Sequence, residues 1–250
     1  VYAVLFSGCS NRVTKAIALY EKGEFCLDQN TAEYYTLSQK YFGKAVKQFT
    51  KSAKRGNAEA QYRLGVGYEM CWGVECSSQD ALKWFRLAAE QGHIYAQFKM
   101  GFYYENGFVV EPSIEEAAKW YRKAAEQGDA ESQNKLGWFY ENGFGVEKSY
   151  DEAYKWYGMA ARQGHFVALN NLGLCYEYGR GVEMNYEESA KCYRKAADLG
   201  NAVAQCNLGL CYEVGRGVEQ SYEEAVKWYR KAAGSFNRAA FRLGVCYKNG

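Results

Sequence analysis

Residues 92–127 read GHIYAQFKMGFYYENGFVVEPSIEEAAKWYRKAAEQ, and the fold is decided by the fact that this stretch is one of a series. Residues 56–91 read GNAEAQYRLGVGYEMCWGVECSSQDALKWFRLAAEQ, and units beginning at Gly128, Gly164 and Gly200 follow at the same 36-residue step. A sixth unit begins near Phe236, one residue short, and breaks off at Gly250 after half its length, so the chain is expected to be a piece of a longer protein. Self-similarity at such a period marks a repeat architecture, in which each unit buries its apolar face against its neighbours.

Each unit divides into two helical patterns. In the first, Ala60, Leu64 and Tyr68 recur as Ala96/Met100/Tyr104, Ser132/Leu136/Tyr140 and Ala168/Leu172/Tyr176. Spacing by four places them on one helical face and predicts a buried stripe. Gly65, Gly101, Gly137, Gly173, Gly209 and Gly244 sit beside it. Glycine inside a helix costs up to about 1 kcal/mol against alanine, so its repetition predicts close approach of a neighbouring helix. The second pattern opens on Ser113/Glu116, Ser149/Glu152, Asn185/Glu188 and Ser221/Glu224, the spacing of a reciprocal capping box. Its apolar face is Ala117, Trp120, Tyr121, Ala124 and Ala125. Glu115/Lys119, Asp151/Lys155, Glu187/Lys191 and Glu223/Lys227 are acid-before-base pairs four apart, the mark of an exposed face. GFGVE (143–147) and GRGVE (179–183 and 215–219) form the turns between helices, with glycine supplying backbone angles other residues avoid.

The combined signature, Ala-x-Ala-Gln-x-x-Leu-Gly-x-x-Tyr-x-x-Gly-x-Gly-Val followed by Glu-Ala-x-Lys-Trp-Tyr-x-Lys-Ala-Ala, resembles the Sel-one-like repeat, a relative of the tetratricopeptide repeat, over residues 56–250. The resemblance implies an all-α fold: a right-handed α/α superhelical solenoid of paired antiparallel helices, its 36-residue repeats starting near 56, 92, 128, 164, 200 and 236. Upstream, YFGKAVKQFTKSAKRG (41–56) aligns with a second helix, Ala45 matching Ala81 and Phe49 matching Phe85. Its partner helix is expected near 13–22, with 23–40 as a longer turn than usual. Residues 1–55 then read as a divergent capping repeat, needed because an end unit has no neighbour to cover its apolar face. The opening VYAVLFSGC looks like the tail of a bacterial lipoprotein signal, which makes Cys9 a lipidation candidate; an amphipathic first helix is the other reading.

The net charge of +2, from 31 basic and 29 acidic residues without long runs of either sign, gives no argument for a nucleic-acid partner. No run of about 18 apolar residues predicts a membrane-spanning helix. His93 and His165, the only histidines, stand where other units carry Asn57, Asp129 and Asn201, so they read as helix caps. That leaves no serine–histidine triad, no zinc cluster and no expected cofactor or metal. The GFGVEKS turn lies between helices and not after a strand, so it is no phosphate loop. Paired acids such as Glu115/Glu116 recur at helix starts, where the macrodipole favours them.

Cys175, Cys211 and Cys246 share one repeated position, too far apart for bridges and best read as small buried residues. Cys192 replaces a recurring tryptophan and Cys206 replaces Tyr62 or Phe98; their pairing is not legible. In CWGVEC (71–76), Cys71 stands where other turns have Gly107, Gly143, Gly179 and Gly215, and Cys76 where they have Pro112, Lys148, Met184 and Gln220. A local disulfide and two ordinary thiols both stand as readings, while a metal or redox role lacks a third ligand and Cys-x-x-Cys spacing. Cysteine-rich bacterial relatives in the resembled family bridge one helix end to the next helix start; those positions here hold residues such as Ala89 and Gln97, so that bridge is not carried over.

In stacks of paired helices the first helix of each unit lines the concave surface. The stripe facing it supplies the expected partner-binding residues Arg63, Lys99, Phe102, Asn106, Lys135, Trp138, Asn142, Asn171 and Tyr178, aromatic residues with a polar rim. Packing of Phe102 and Trp138 against the adjacent first helix is the alternative. The resemblance implies a non-enzymatic scaffold or adaptor that holds a partner protein or peptide, as relatives do in protein quality control, bacterial signalling, host interaction and neutralisation of toxic effectors. Two other readings stand beside it: a bacterial envelope protein binding or hydrolysing a β-lactam or cell-wall fragment, and the repeat region of a larger multidomain protein. Nine cysteines and the Cys9 motif lean toward an oxidising envelope, periplasmic or secreted location, whereas the stacked single thiols suit a reducing cytosol equally.

Overall fold

The computed structural model describes residues 10–28 and 32–249, and among these it is entirely helical. Cys9 lies outside the described residues. The helices are α1 Ser10–Asp28, α2 Ala32–Ala53, α3 Ala58–Glu69, α4 Ser78–Glu90, α5 Ile94–Asn106, α6 Ile114–Glu126, α7 Ala130–Asn142, α8 Tyr150–Arg162, α9 Phe166–Tyr178, α10 Tyr186–Asp198, α11 Ala202–Val214, α12 Tyr222–Ala232 and α13 Asn237–Asn249. They fall into two compact units, residues 1–124 and 125–250. Within each, helices adjacent in sequence pack on one another, as in a helical-repeat solenoid.

The helical glycines explain the pairing. A Cβ on Gly137 would lie 2.7 Å from Cδ1 of Tyr157, and one on Gly173 would lie 2.6 Å from Cε1 of Tyr193. Gly65 with Phe85, Gly101 with Tyr121 and Gly209 with Tyr229 repeat the arrangement. The close approach is therefore made by a ring: the buried aromatic of the second helix lies against bare backbone of the first, which only glycine permits.

The same contact corrects the expectation for the N-terminal region. Residues 23–28 and 32–40 are helical, not a long turn. Gly23 is no breaker, since its backbone faces the Phe42 ring, where a Cβ would come within 2.6 Å. Ala16, Tyr20 and Gly23 keep a helical stripe running towards Leu27, and Ser38, Phe42, Ala45 and Phe49 continue one in α2.

The capping arrangement is half of the expected box. Ser113, Ser149 and Ser221 accept from the backbone N–H of Glu116, Glu152 and Glu224, and Asn185 does the same for Glu188. The reciprocal half is replaced: the N–H of each cap donates to a carbonyl of the preceding helix, Ser113 to Tyr104, Ser149 to Tyr140, Asn185 to Tyr176 and Ser221 to Tyr212. The freed glutamates pair with Lys119, Lys155 and Lys191, three positions on instead of the expected four, and Lys227 reaches both Glu223 and Glu224. All are exposed pairs of small energetic weight.

Successive repeats are joined by a recurrent glutamine. Gln97 Nε2 donates to the Ala89 carbonyl at 3.2 Å, and Gln61, Gln133 and Gln205 do the same to Ala53, Ala125 and Ala197. A side-chain amide thus ties a helix end to the next helix start, at the junction where a disulfide was not carried over.

Candidate functional site

The first helices α7, α9 and α11 of the second unit stand side by side. Asn171 Nδ2 donates to Asn134 Oδ1 at 3.1 Å, and Asn207 Nδ2 to Asn170 Oδ1 at 3.0 Å. Asn171 therefore serves as a tie between helices. On the same face Trp138 is 40% exposed, its ring centroid 4.9 Å from that of Phe144 in the following turn. Tyr178 is 57% exposed, and the Arg180 guanidinium lies 5.1 Å from its ring and 5.6 Å from that of Tyr150. Lys135 lies 5.9 Å from the Trp138 ring. These contacts place aromatic surface and cations together within the second unit.

In the first unit, Phe102 is half-buried and packs 5.7 Å from Phe108. Lys99 sits 6.0 Å from the Phe102 ring and bonds Glu69 at 2.6 Å. Arg63 is held by Glu59 at 2.7 Å and lies over the Tyr20 ring. Asn106 and Asn142 turn back on their own helices, donating to the carbonyls of Phe102 and Trp138 at 2.8 Å each. Their amide hydrogens thus satisfy helix-end carbonyls.

A ladder of glutamates organises this face. Glu141 accepts the Tyr157 hydroxyl at 2.8 Å and Arg180 at 2.6 Å. Glu177 accepts Tyr193 at 2.6 Å with Arg216 at 3.6 Å, and Glu213 accepts Tyr229 with Arg242 at 3.2 Å. In the first unit Glu105 accepts Tyr121 at 2.6 Å, while Glu69 takes Lys99 and Tyr103. Each of these acids thus ties the ring hydroxyl of a second helix, or a cation of the next repeat, to the first-helix face. Burial, then the neighbouring glutamate, pushes the Tyr157 phenol above its ordinary value; in Tyr193 burial again leads, with the Glu177 hydrogen bond next. These acids were not singled out from sequence, although the signal was there: a Tyr-Glu dipeptide recurs at 68–69, 104–105, 140–141, 176–177 and 212–213.

Cys71 and Cys76 form a disulfide across their turn, with Cα atoms 4.5 Å apart. Cys71 holds a left-handed φ of 59°, like the φ of 68° at Gly107. Between them Trp72 stacks on Phe42 at 4.6 Å, and Gly73 N–H donates to Gln39 Oε1 at 3.2 Å. The bridged turn therefore anchors α3 to α2.

The histidines cap helices. His93 Nδ1 accepts the Ala96 N–H at 3.2 Å while Nε2 meets Glu59 at 3.0 Å; His165 repeats this with Ala168 and Glu131. An accepting Nδ1 puts the proton of the neutral ring on Nε2, where it donates to the carboxylate. That bond leads in lowering Glu59 to about 2. Cys175, Cys192, Cys206 and Cys211 are buried free thiols, and burial pushes Cys175 and Cys211 up to about 12 and Cys192 up to about 11. Such thiols stay protonated at neutral pH and are poor nucleophiles. Among the described residues no cluster of three potential metal ligands occurs, and no helix is long and apolar enough to cross a membrane.

The Sel1 repeat family model matches residues 58–93, 94–129, 130–165, 167–201, 202–234 and 237–250. A solved Sel1 repeat protein from Oxalobacter formigenes is 32% identical, across 92% of this chain and 88% of that one, with a TM-score of 0.80. A protective antigen present in uropathogenic Escherichia coli strains, displaying the same repeat fold, is 31% identical across 98% of this chain; the match spans 60% of that protein, at a TM-score of 0.78. An immunity protein from Pseudomonas aeruginosa, 19% identical over 96% of this chain and 84% of that one, with a TM-score of 0.53, shares the fold alone. Among curated proteins no match is found.

Proposed function

The chain belongs to the Sel1 repeat family, whose members are generally protein–protein interaction modules, and on that premise we propose that it is a non-enzymatic scaffold holding a partner protein or peptide against the first-helix face of its repeats. One observation carries the reading. The packing positions are constant from repeat to repeat, whereas the face positions vary and keep Trp138 and Tyr178 exposed beside Lys135 and Arg180. Large aromatics left in water beside cations are the composition of interaction hot spots, where a few residues supply most of the affinity.

The envelope-hydrolase reading needs an activated nucleophile with a base. Both histidines use their Nδ1 atoms as caps and their Nε2 atoms on carboxylates, and burial holds the Cys175, Cys192 and Cys211 thiols protonated. The scaffold reading is tested by affinity purification of the full chain from its native source beside the Trp138→Ala/Tyr178→Ala variant. Loss of the co-purifying partner from a variant with unchanged circular dichroism is expected; full retention refutes the surface assignment.

A further inference from the structure

On the first-helix face of the second unit, α9, α11, the turn after α11 and the start of α13 line a cavity of about 60 Å³ that is partly open to solvent. Its polar wall is Glu177, Asn207, Arg216 and Arg238; Leu210 and Val214 contribute to its apolar wall. That volume holds about two waters or the end of one carboxylate side chain. It is far below the roughly 300–1,000 Å³ of sites that bury a drug-sized ligand.

The charges fix the sign of the occupant. Glu177 is already paired, accepting the Tyr193 hydroxyl at 2.6 Å. Arg216 stands 3.6 Å from Glu177, a looser hold than the 2.6 Å between the equivalent Arg180 and Glu141. Arg238, exposed in the first turn of α13, has no carboxylate within ion-pair distance among the described residues. Two guanidinium groups against one carboxylate leave the wall one positive charge in excess. Asn207 spends one amide hydrogen on Asn170, and a side-chain amide has two.

We infer that this cavity is a carboxylate subsite, taking one Asp or Glu side chain of a partner polypeptide; it rests on the reading of this face as the interaction surface. Arg216 and Arg238 supply charge-assisted hydrogen bonds to the two oxygens, and the remaining Asn207 hydrogen adds a third. The methylenes of the acid pack on Leu210 and Val214. A glutamine of the same shape keeps the packing and loses the charge-assisted bonds.

The probe is N-acetyl-glutamate N-methylamide, an internal glutamate in miniature, titrated into the 250-residue chain while ¹⁵N side-chain resonances are followed. Saturable shifts of the Arg238 Nε–H and Asn207 amide are expected, with at least about tenfold weaker response to the glutamine analogue, since charge-assisted bonds are roughly twice as strong as neutral ones. Arg216→Ala with Arg238→Ala should abolish saturation and leave the backbone spectrum intact. Equal response to the glutamine analogue, absence of saturable shifts at these side chains, or a stronger response to N-acetylglycine, which offers a chain-end carboxylate, each overturns the assignment. If the subsite fails while Trp138→Ala/Tyr178→Ala still releases the partner, the subsite alone is wrong. If that variant also keeps its partner, the surface reading falls with it.

Discussion

Replacing Gly137 by alanine puts the pairing of first and second helices under direct test. In an exposed helix the change would gain up to about 1 kcal/mol, because glycine is the poorer helix former. Here the new Cβ would sit 2.7 and 2.8 Å from Cδ1 and Cε1 of Tyr157 and 3.2 Å from the Ala153 carbonyl oxygen. Tyr157 is fully buried and its hydroxyl is anchored on Glu141 at 2.8 Å, so the ring cannot retreat without losing that bond. Overpacking costs about 1–3 kcal/mol, and a hydrogen bond to a charged group contributes about 1.5–3 kcal/mol. Subtracting a propensity gain of up to about 1 kcal/mol leaves a net loss of about 0–2 kcal/mol if the bond survives and about 1.5–5 kcal/mol if it breaks, and because the ring cannot retreat without breaking it the larger loss is expected. Gly158 in α8 is the internal control, since its nearest neighbour to a new Cβ is Arg162 Nη1 at 3.9 Å. Gly158→Ala should therefore raise stability by about 0.5–1 kcal/mol. Urea unfolding followed by circular dichroism measures both. A Gly137→Ala protein as stable as the parent, with Gly158→Ala behaving as stated, refutes the ring-on-glycine account.

Ser132 occupies the position of Ala60, Ala96, Ala168 and Ala204, and its buried hydroxyl has no hydrogen-bond partner among the described residues. Ser132→Ala should stabilise by about 1 kcal/mol in the same assay, and a loss of stability contradicts the reading. Glu59 is lowered from 4.5 to about 2, so its contribution is present above pH 4.5 and lost as pH falls towards 2. Melting temperatures of Glu59→Gln and parent should converge across that window; parallel curves rule out the His93–Glu59 pair as their cause. A Cβ on Gly143 would stand 3.2 Å from that of Lys148, close to the span a disulfide bridges. Gly143→Cys/Lys148→Cys should then oxidise to a bridge like Cys71–Cys76, read as a second disulfide in non-reducing peptide mapping; two free thiols after oxidation count against a shared turn geometry.

The family, the helix pairing and the turns were legible because they rest on local rules repeated many times. Period fixes a face, glycine fixes a left-handed turn, and recurrence in at least four repeats guards each inference against accident. What escaped the sequence depends on which of two partners a group chooses. Ser113 and Glu116 have capping-box spacing, yet the carbonyl of Tyr104 takes the cap N–H and leaves the glutamate to Lys119. Asn106 and Asn142 look like rim residues, but their amides satisfy helix-end carbonyls. Residues 23–40 read as a long turn until the Phe42 ring is placed against Gly23. The glutamate ladder was hidden for a related reason: Glu141 gains meaning only when Tyr157, 16 residues on, and Arg180 in the next repeat converge on it.

Hydrogen–deuterium exchange of the chain with its natural partner bound tests the central claim most directly. Protection concentrated on residues 130–142, 166–178 and 202–214 and on the turns after them is the predicted result. Protection confined to α8, α10 and α12, with the first helices unchanged, would place the partner on the opposite surface and contradict the account.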